Sequence, residues 1–397
     1  MSTEVTSHPE GVDALFGKTV VLDARWIFDD LSGIGVYTRE LIRTMPALAP
    51  DCRFRLWFGD TARLASTRDA TGFDQQPNVS AEVVSEGLFS LTGQLRLPGK
   101  LRADSVDLFH SPNYMIPLRA FPRGRRGDVA CVTTVHDLIP LKLPDHAPRS
   151  KKSRLMPLYR RLMSEVARRS DRVITVSGCS RTDAIELLGV PADRSRDVVV
   201  VYNGVNPLLG PAAEEIRHSA EVLYVGRFDP YKQVPQLVQA VAQLRERIPD
   251  IRLRLIGKSD ERYPETAAAI AATGLSDVVT WDSGLSDAAL ADAYRRATVL
   301  VLPSLYEGFG LPVVEAMACG TPVACSTGGS LGEVAGDAAE TWSPGDSSAM
   351  EEAIGRVLTD ASLRQSLAER GRARAADFTW ENTAAETLAV YTSALRA

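Results

Sequence analysis

Runs of consecutive apolar, largely β-branched residues recur at 19–23, 54–58, 81–84, 106–109, 129–135, 172–176 and 198–202, with stretches of helical spacing between them. Apolar at successive rather than alternate positions, such runs predict strands buried on both faces. Strands alternating with helices predict βαβ units and a parallel sheet. The scheme starts afresh at 222–225 and continues through 253–256, 278–281, 299–302 and 322–324, which predicts a second sheet of the same kind. Between the two lies 206–220, where Pro207, Gly210 and Pro211 interrupt any strand pattern and mark a linker. The expected division is a disordered, polar lead-in (1–17), a first domain (18–205), the linker (206–220), a second domain (221–378) and a terminal helix (379–397). The pattern leaves open whether that helix finishes the second domain or crosses back to the first. The fold class is α/β: two doubly wound domains facing each other across a cleft, because ligands in such sheets bind beyond the carboxyl ends of the strands.

A length of 397 residues suits two domains. A net charge of -5 excludes a generally basic nucleic-acid binder, so no nucleic-acid partner is expected. The five cysteines are scattered with no C-x-x-C pair, which favours a reducing compartment over a disulfide framework or a zinc site. The amino terminus has neither a basic nor an apolar signal segment, and no apolar run approaches the roughly 18 to 20 residues that span a bilayer. A cytoplasmic location is expected.

The segment from Pro303 to Gly320 holds the most chemistry. It leaves the strand 299–302, passes through a loop with Gly308, Phe309 and Gly310, and enters a helix with Pro312 in its first turn and Gly320 at its stop. Unpaired amides of Gly310, Leu311 and their neighbours, together with the helix dipole, make an anion pocket. Glu307 and Glu315 flank it. Carboxylates there would repel a phosphate unless they accept hydrogen bonds from neutral hydroxyls, so sugar and ribose hydroxyls are their expected partners. In Val225-Gly226-Arg227-Phe228-Asp229-Pro230-Tyr231-Lys232, Arg227 and Lys232 fall at the carboxyl edge of the second sheet. Paired there, they can neutralise a diphosphate leaving group without a metal, and the chain has no D-x-D to hold one. No cofactor and no metal are expected; the nucleotide sugar is a substrate. The plain alternatives are a solvated helix start, a surface loop acid and ordinary surface ion pairs.

These residues resemble the retaining glycosyltransferases of family 4, which have two Rossmann-like domains in the GT-B arrangement. The resemblance rests on Glu307-x7-Glu315 within E-G-F-G-L-P-V-V-E-A-M-A-C-G and on G-R-F-D-P-Y-K before it. It extends to Ser32-Gly33-Ile34-Gly35-Val36-Tyr37, Val135-His136-Asp137-Leu138, Thr175-Val176-Ser177 and Val201-Tyr202-Asn203-Gly204-Val205. It implies that Arg227 and Lys232 bind the donor diphosphate, Glu315 the ribose, and Glu307 the transferred sugar, with backbone amides from the 308–311 loop. It also implies that Gly33 and Gly35 close on the donor phosphates or acceptor, that His136 and Asp137 reach the sugar or acceptor, and that a loop at 280–285, including Ser283, meets the donor base. Retention of anomeric configuration is implied as well.

Leu22-Asp23-Ala24-Arg25 and His110-Ser111-Pro112 look most like mannosyltransferases of polysaccharide assembly, which makes GDP-mannose the favoured donor and a glycan or lipid-linked acceptor the partner; UDP-sugars follow closely. The basic stretch with Lys151, Lys152, Arg154, Arg160 and Arg161 interleaves cations with Leu, Met and Tyr. That suits either a helix lying on an anionic membrane at its inner face or one whose apolar side meets the core. Two rivals are weighed. A dinucleotide oxidoreductase is disfavoured because Thr38 breaks G-x-G-x-x-G after Gly33 and Gly35. A non-catalytic sugar-nucleotide binder is expected to lack Glu307, Arg227 or Lys232, and all three are present.

Overall fold

The computed structural model describes residues 12–28, 33–124, 127–146, 156–211 and 220–397. The first sheet contains β1 (Thr19–Leu22), β2 (Arg53–Phe58), β3 (Val79–Val83), β4 (Leu108–Ser111), β5 (Ala130–Val135), β6 (Arg172–Thr175) and β7 (Val198–Val200). Its order is β3-β2-β1-β4-β5-β6-β7, parallel throughout. The second contains β8 (Glu221–Val225), β9 (Arg252–Ile256), β10 (Val279–Asp282), β11 (Val299–Leu302), β12 (Val323–Ser326) and β13 (Ala339–Trp342) in the order β10-β9-β8-β11-β12-β13, also parallel. Every residue of β1, β4, β5, β11 and β12 is buried, as helices on both faces of a sheet require. In each sheet the order reverses beside the first strand, between β1 and β4 and between β8 and β11, which opens a crevice at the carboxyl ends. One strand escapes the sequence pattern: β13, whose Ala-Glu-Thr-Trp buries only Trp342 and lies at the sheet edge.

The lead-in needs correction at its end. Residues 1–11 lie outside the described residues, but Val12–Leu15 forms a 3₁₀ turn and Leu15 is buried in the first domain's core. One apolar side chain finding that core is enough to order the segment that carries it. Of the linker, 212–219 lie outside the described residues.

The helix Trp380–Arg396 crosses back. Trp380, Ala384, Leu388 and Tyr391 make one stripe at three- and four-residue spacing, and it is buried among Leu41, Ile42, Val132 and Ile174 of the first domain. The Tyr391 hydroxyl meets His110 Nδ1 at 2.7 Å, and Arg172 Nε donates to Ser393 Oγ at 3.0 Å. The two chain crossings between domains are tied together: Val205 N donates to the Phe378 carbonyl at 3.0 Å and Thr383 Oγ1 to that of Tyr202 at 2.7 Å.

Candidate active site

The donor lobe's site is built where β8 and β11 end. After β8 the chain makes the 3₁₀ turn Pro230–Lys232, and Leu305 N donates to the Tyr231 carbonyl at 2.7 Å, tying that turn to the loop after β11. Gln233 takes a left-handed φ of 55°, which no side chain but glycine's lack of one favours, and so turns the chain sharply from Lys232 into the helix Val234–Arg245. The result is a close pair. Lys232 Nζ lies 2.6 Å from Glu307 Oε1, both side chains about nine-tenths buried, and Ser304 Oγ donates to the same oxygen at 2.5 Å. Arg227 stands differently: its side chain is 67% exposed and pairs with the buried Asp229 at 2.9 Å. Each cation is thus held by a carboxylate of its own, Lys232 inside the crevice and Arg227 at its exposed rim.

Gly310 begins the helix Leu311–Cys319 at φ 94°, so the amides of its first turn open on the same crevice. Glu315, one turn in, accepts from the Tyr294 hydroxyl at 2.6 Å; burial raises its pKa, the Tyr294 hydrogen bond opposes this, and Asp287 adds to it. Ser283 is exposed just past β10, the outermost strand. It lies two strands from β8, roughly 10 Å at about 4.8 Å per strand, the span from a diphosphate to its base. Beside it Trp281 packs on Phe228 with ring centroids 4.3 Å apart. The Phe309 side chain lies in the interdomain packing, so any contact this residue makes in the crevice is through its backbone amide. Its ring is 4% exposed, wedged between Tyr202 at 6.2 Å and Phe378 at 5.6 Å, because an apolar ring beside the interdomain crossings gains more from packing than from a polar cleft.

The acceptor lobe closes directly on this loop. A Cβ on Gly308 would stand 2.3 Å from the His136 carbonyl oxygen, so only glycine permits the approach. The Gly308 carbonyl accepts from Ser177 Oγ at 2.8 Å and Ser180 Oγ at 3.2 Å. Gly33 opens the helix Gly33–Leu48 with its Cβ position 3.7 Å from Leu311, so two helix N-termini, one per lobe, converge on the cleft; Gly35 is buried in the first turn. His136 Nε2 donates to the Pro112 carbonyl at 2.9 Å, which fixes that nitrogen as the N–H and leaves the lone pair on Nδ1. Burial lowers its pKa to about 4, with the Pro112 carbonyl opposing, so the ring is neutral near pH 7; its edge meets Tyr37 at 4.9 Å. Asp137 Oδ1 accepts from Ile139 N at 3.2 Å.

Other expected residues are structural. Asp23 is wholly buried against Arg25 (2.6 Å), whose Nη1 reaches the Glu86 carbonyl at 2.7 Å and staples the loops after β1 and β3. His110 sits between Tyr391 and Thr134, and burial, with His136 nearby, lowers its pKa to about 3. Lys151, Lys152 and Arg154 lie outside the described residues. The helix Met156–Arg169 that follows turns Tyr159, Met163, Val166 and Ala167 to the core, and Leu158, Arg160 and Arg161 outward. Among the described residues no group of three or more His, Cys, Asp or Glu side chains could hold a metal ion, and no helix is long and apolar enough to cross a membrane. Sequence reading missed Glu333, which reaches across the cleft to Gly178, Cys179 and Tyr202.

Residues 31–207 match the family Glycosyltransferase Family 4 and residues 212–374 the family Glycosyl transferases group 1. A D-inositol 3-phosphate glycosyltransferase of Frankia alni is 31% identical over 92% of this chain and 95% of its own. The chain belongs to glycosyltransferase family 4. The transferase is also 38% identical to an MMP α-(1→4)-mannosyltransferase of Mycolicibacterium hassiacum, over 60% of this chain and only 59% of that enzyme's length. It is 28% identical to O-antigen chain mannosyltransferase B of Escherichia coli over 91% and 96%. Among solved structures, sucrose-phosphate synthase of Thermosynechococcus elongatus superposes with a TM-score of 0.74 (23% identity, 95% and 98% covered). Anabaena HepE in complex with UDP-glucose superposes with 0.71 (20% identity, 94% and 99% covered). The architecture is GT-B.

Proposed function

We propose that the transferase moves mannose from GDP-mannose to a glycan or lipid-linked acceptor, with retention and without a metal ion. The observation that carries the chemistry is the Lys232–Glu307 pair, 2.6 Å apart beside the open amides of the Leu311–Cys319 helix and under the acceptor lobe. The naming of two relatives as mannosyltransferases supports the sugar. In the reaction the bond between the anomeric carbon and the diphosphate oxygen breaks while the acceptor hydroxyl attacks the same face, and the acceptor's proton passes to the departing phosphate. Arg227, Lys232 and the helix amides stabilise charge that is greater on the leaving group than on the bound donor. Glu307 accepts from a sugar hydroxyl. Because its carboxylate is engaged by Lys232 and Ser304, it is a poor nucleophile for a double displacement, which supports front-face departure. His136, neutral and oriented by Pro112, hydrogen-bonds the sugar or acceptor. Glu315 binds the ribose and Ser283 the base side of the nucleotide.

A thermal-shift panel of GDP, UDP, ADP, dTDP and a nicotinamide dinucleotide, with and without EDTA, tests this. A ligand at 100 times its dissociation constant stabilises by about 2.7 kcal/mol. A shift with GDP that survives EDTA is expected; a UDP shift instead would reassign the donor, and none with any diphosphate would sink the site. We place the acceptor at an anionic membrane surface through Leu158, Arg160 and Arg161. Sedimentation with anionic vesicles at low salt checks that placement, and lipid-independent behaviour would remove it.

A further inference from the structure

The segment Gly328 to Glu333 touches both halves of the site. At one end it wraps the backbone of Glu307: Glu307 N donates to the Gly328 carbonyl at 3.3 Å, and Ser330 N and Oγ donate to the Glu307 carbonyl at 3.0 and 3.1 Å. At the other end the Glu333 carboxylate leaves the donor lobe altogether. Its Oε1 accepts from Gly178 N at 2.8 Å and from the Tyr202 hydroxyl at 2.7 Å, and its Oε2 from Cys179 N at 3.1 Å. Gly178 and Cys179 are the first two residues of the helix Gly178–Leu188, whose amides have no partner within the helix, and the dipole there favours a negative charge. The backbone that carries this side chain is itself held: Arg374 donates to the main-chain carbonyls of Glu333 and Val334, both at 3.0 Å.

We propose that Glu333 is a positioning residue that latches the acceptor lobe onto the donor lobe and, through the Gly328–Ser330 turn, sets Glu307 only when the lobes are closed. It touches neither the donor nor the acceptor. The proposal rests on the transferase reading for its effect on turnover, but the latch itself is a statement about closure and can be read without activity. Three hydrogen bonds to a charged acceptor across one interface are its strength, since an ionised acceptor shortens and strengthens each of them. Gly178 shows how closely the carboxylate fits. A Cβ there would lie 3.2 and 3.3 Å from the two carboxylate oxygens, so the methyl of alanine displaces them by a few tenths of an ångström. Alanine is otherwise the better helix former, so this variant weakens the latch without unfolding the helix that carries it.

The experiment compares wild type, Glu333→Gln, Gly178→Ala and Tyr202→Phe by small-angle scattering and by GDP and UDP binding calorimetry. Transfer kinetics follow with whichever nucleotide sugar binds. The latch predicts a larger radius of gyration for Glu333→Gln and Gly178→Ala, with nucleoside diphosphate affinity changed less than threefold. It also predicts kcat about 10- to 100-fold lower, and a Tyr202→Phe effect that largely vanishes once Glu333 is Gln. An unchanged radius and unchanged kcat in Glu333→Gln overturn the latch. A lower melting temperature with wild-type radius and kcat also overturns it, by making Glu333 a helix cap and nothing more. If wild type binds no nucleoside diphosphate, the transferase site fails instead, and the radius comparison still decides the latch.

Discussion

In the proposed reaction Lys232 and Arg227 serve the same anion from different starting states, one buried with its carboxylate and the other mostly exposed. Removing Lys232 leaves Glu307 buried beside Ser304 with no counter-ion, and removing Arg227, although its own side chain is mostly exposed, leaves the wholly buried Asp229 with none. Lys232→Ala should therefore lower both stability, by about 3 kcal/mol or more, and turnover. Arg227→Ala should also cost stability by stranding Asp229, whereas Arg227→Lys keeps that charge and should cost less than about 1 kcal/mol yet still lose turnover. Urea titration beside kinetics checks both, and a Lys232→Ala loss below about 1 kcal/mol would show that the Lys232–Glu307 pair is not buried as described. The histidines give a second test. His110 and His136 have folded pKa values lowered to about 3 and about 4 from 6.5, so between those values the unfolded chain binds more protons than the folded one. Their stabilisation is complete above pH 6.5 and is lost as pH falls toward 4 and below. The melting temperature should decline through that window, and His110→Asn should flatten the decline; a level profile in wild type would contradict neutral burial.

Among elements, the strands were the most legible, because a run of four or five apolar residues between helical stretches has few other meanings; β11 begins and ends where the pattern does. β13 was not, since an edge strand buries one face at most and its Ala-Glu-Thr-Trp carries no alternation to read. The strand, the turn at Gly310 and the helix after it were legible from Gly310, Pro312 and the apolar run before them. The burial of the Phe309 ring was not legible, because a motif says which residues travel together and not which way each side chain turns. Glu333 was invisible for a related reason: its partners lie some 130 to 155 residues away, and a carboxylate that caps a helix in the opposite lobe leaves no local trace. The terminal helix was legible as a helix and ambiguous as a neighbour, because an apolar stripe states a need for burial without an address. Its address makes a prediction. Leu388→Ala empties space in the first domain's core and should cost about 2–5 kcal/mol, read by urea unfolding followed at the first domain's tryptophans, Trp26 and Trp57. An unaffected transition would mean that the helix only leans on that domain.

As a whole the molecule is two similar sheets joined at two adjacent crossings, with the groups of the proposed site split between lobes: Lys232, Glu307 and the helix amides on one, His136 and the Gly33 turn on the other. Neither half holds a complete site, so the first domain alone should bind no nucleoside diphosphate. In the proposed reaction, closure of the lobes with Gly308 under His136 also keeps water from the donor. The returning helix, finally, imposes an order on the molecule's birth. Residues 380–396 complete the core of a domain whose own strands end at Val200, and the entire donor lobe is translated between them. At ribosomal speeds of about 5–20 residues per second, the acceptor lobe waits on the order of ten to forty seconds with the apolar ground between Leu41 and Ile174 uncovered. Nascent chains halted before Trp380 should accordingly remain protease-sensitive in the acceptor lobe while the donor lobe is already resistant, so that the first domain made is the last to be finished.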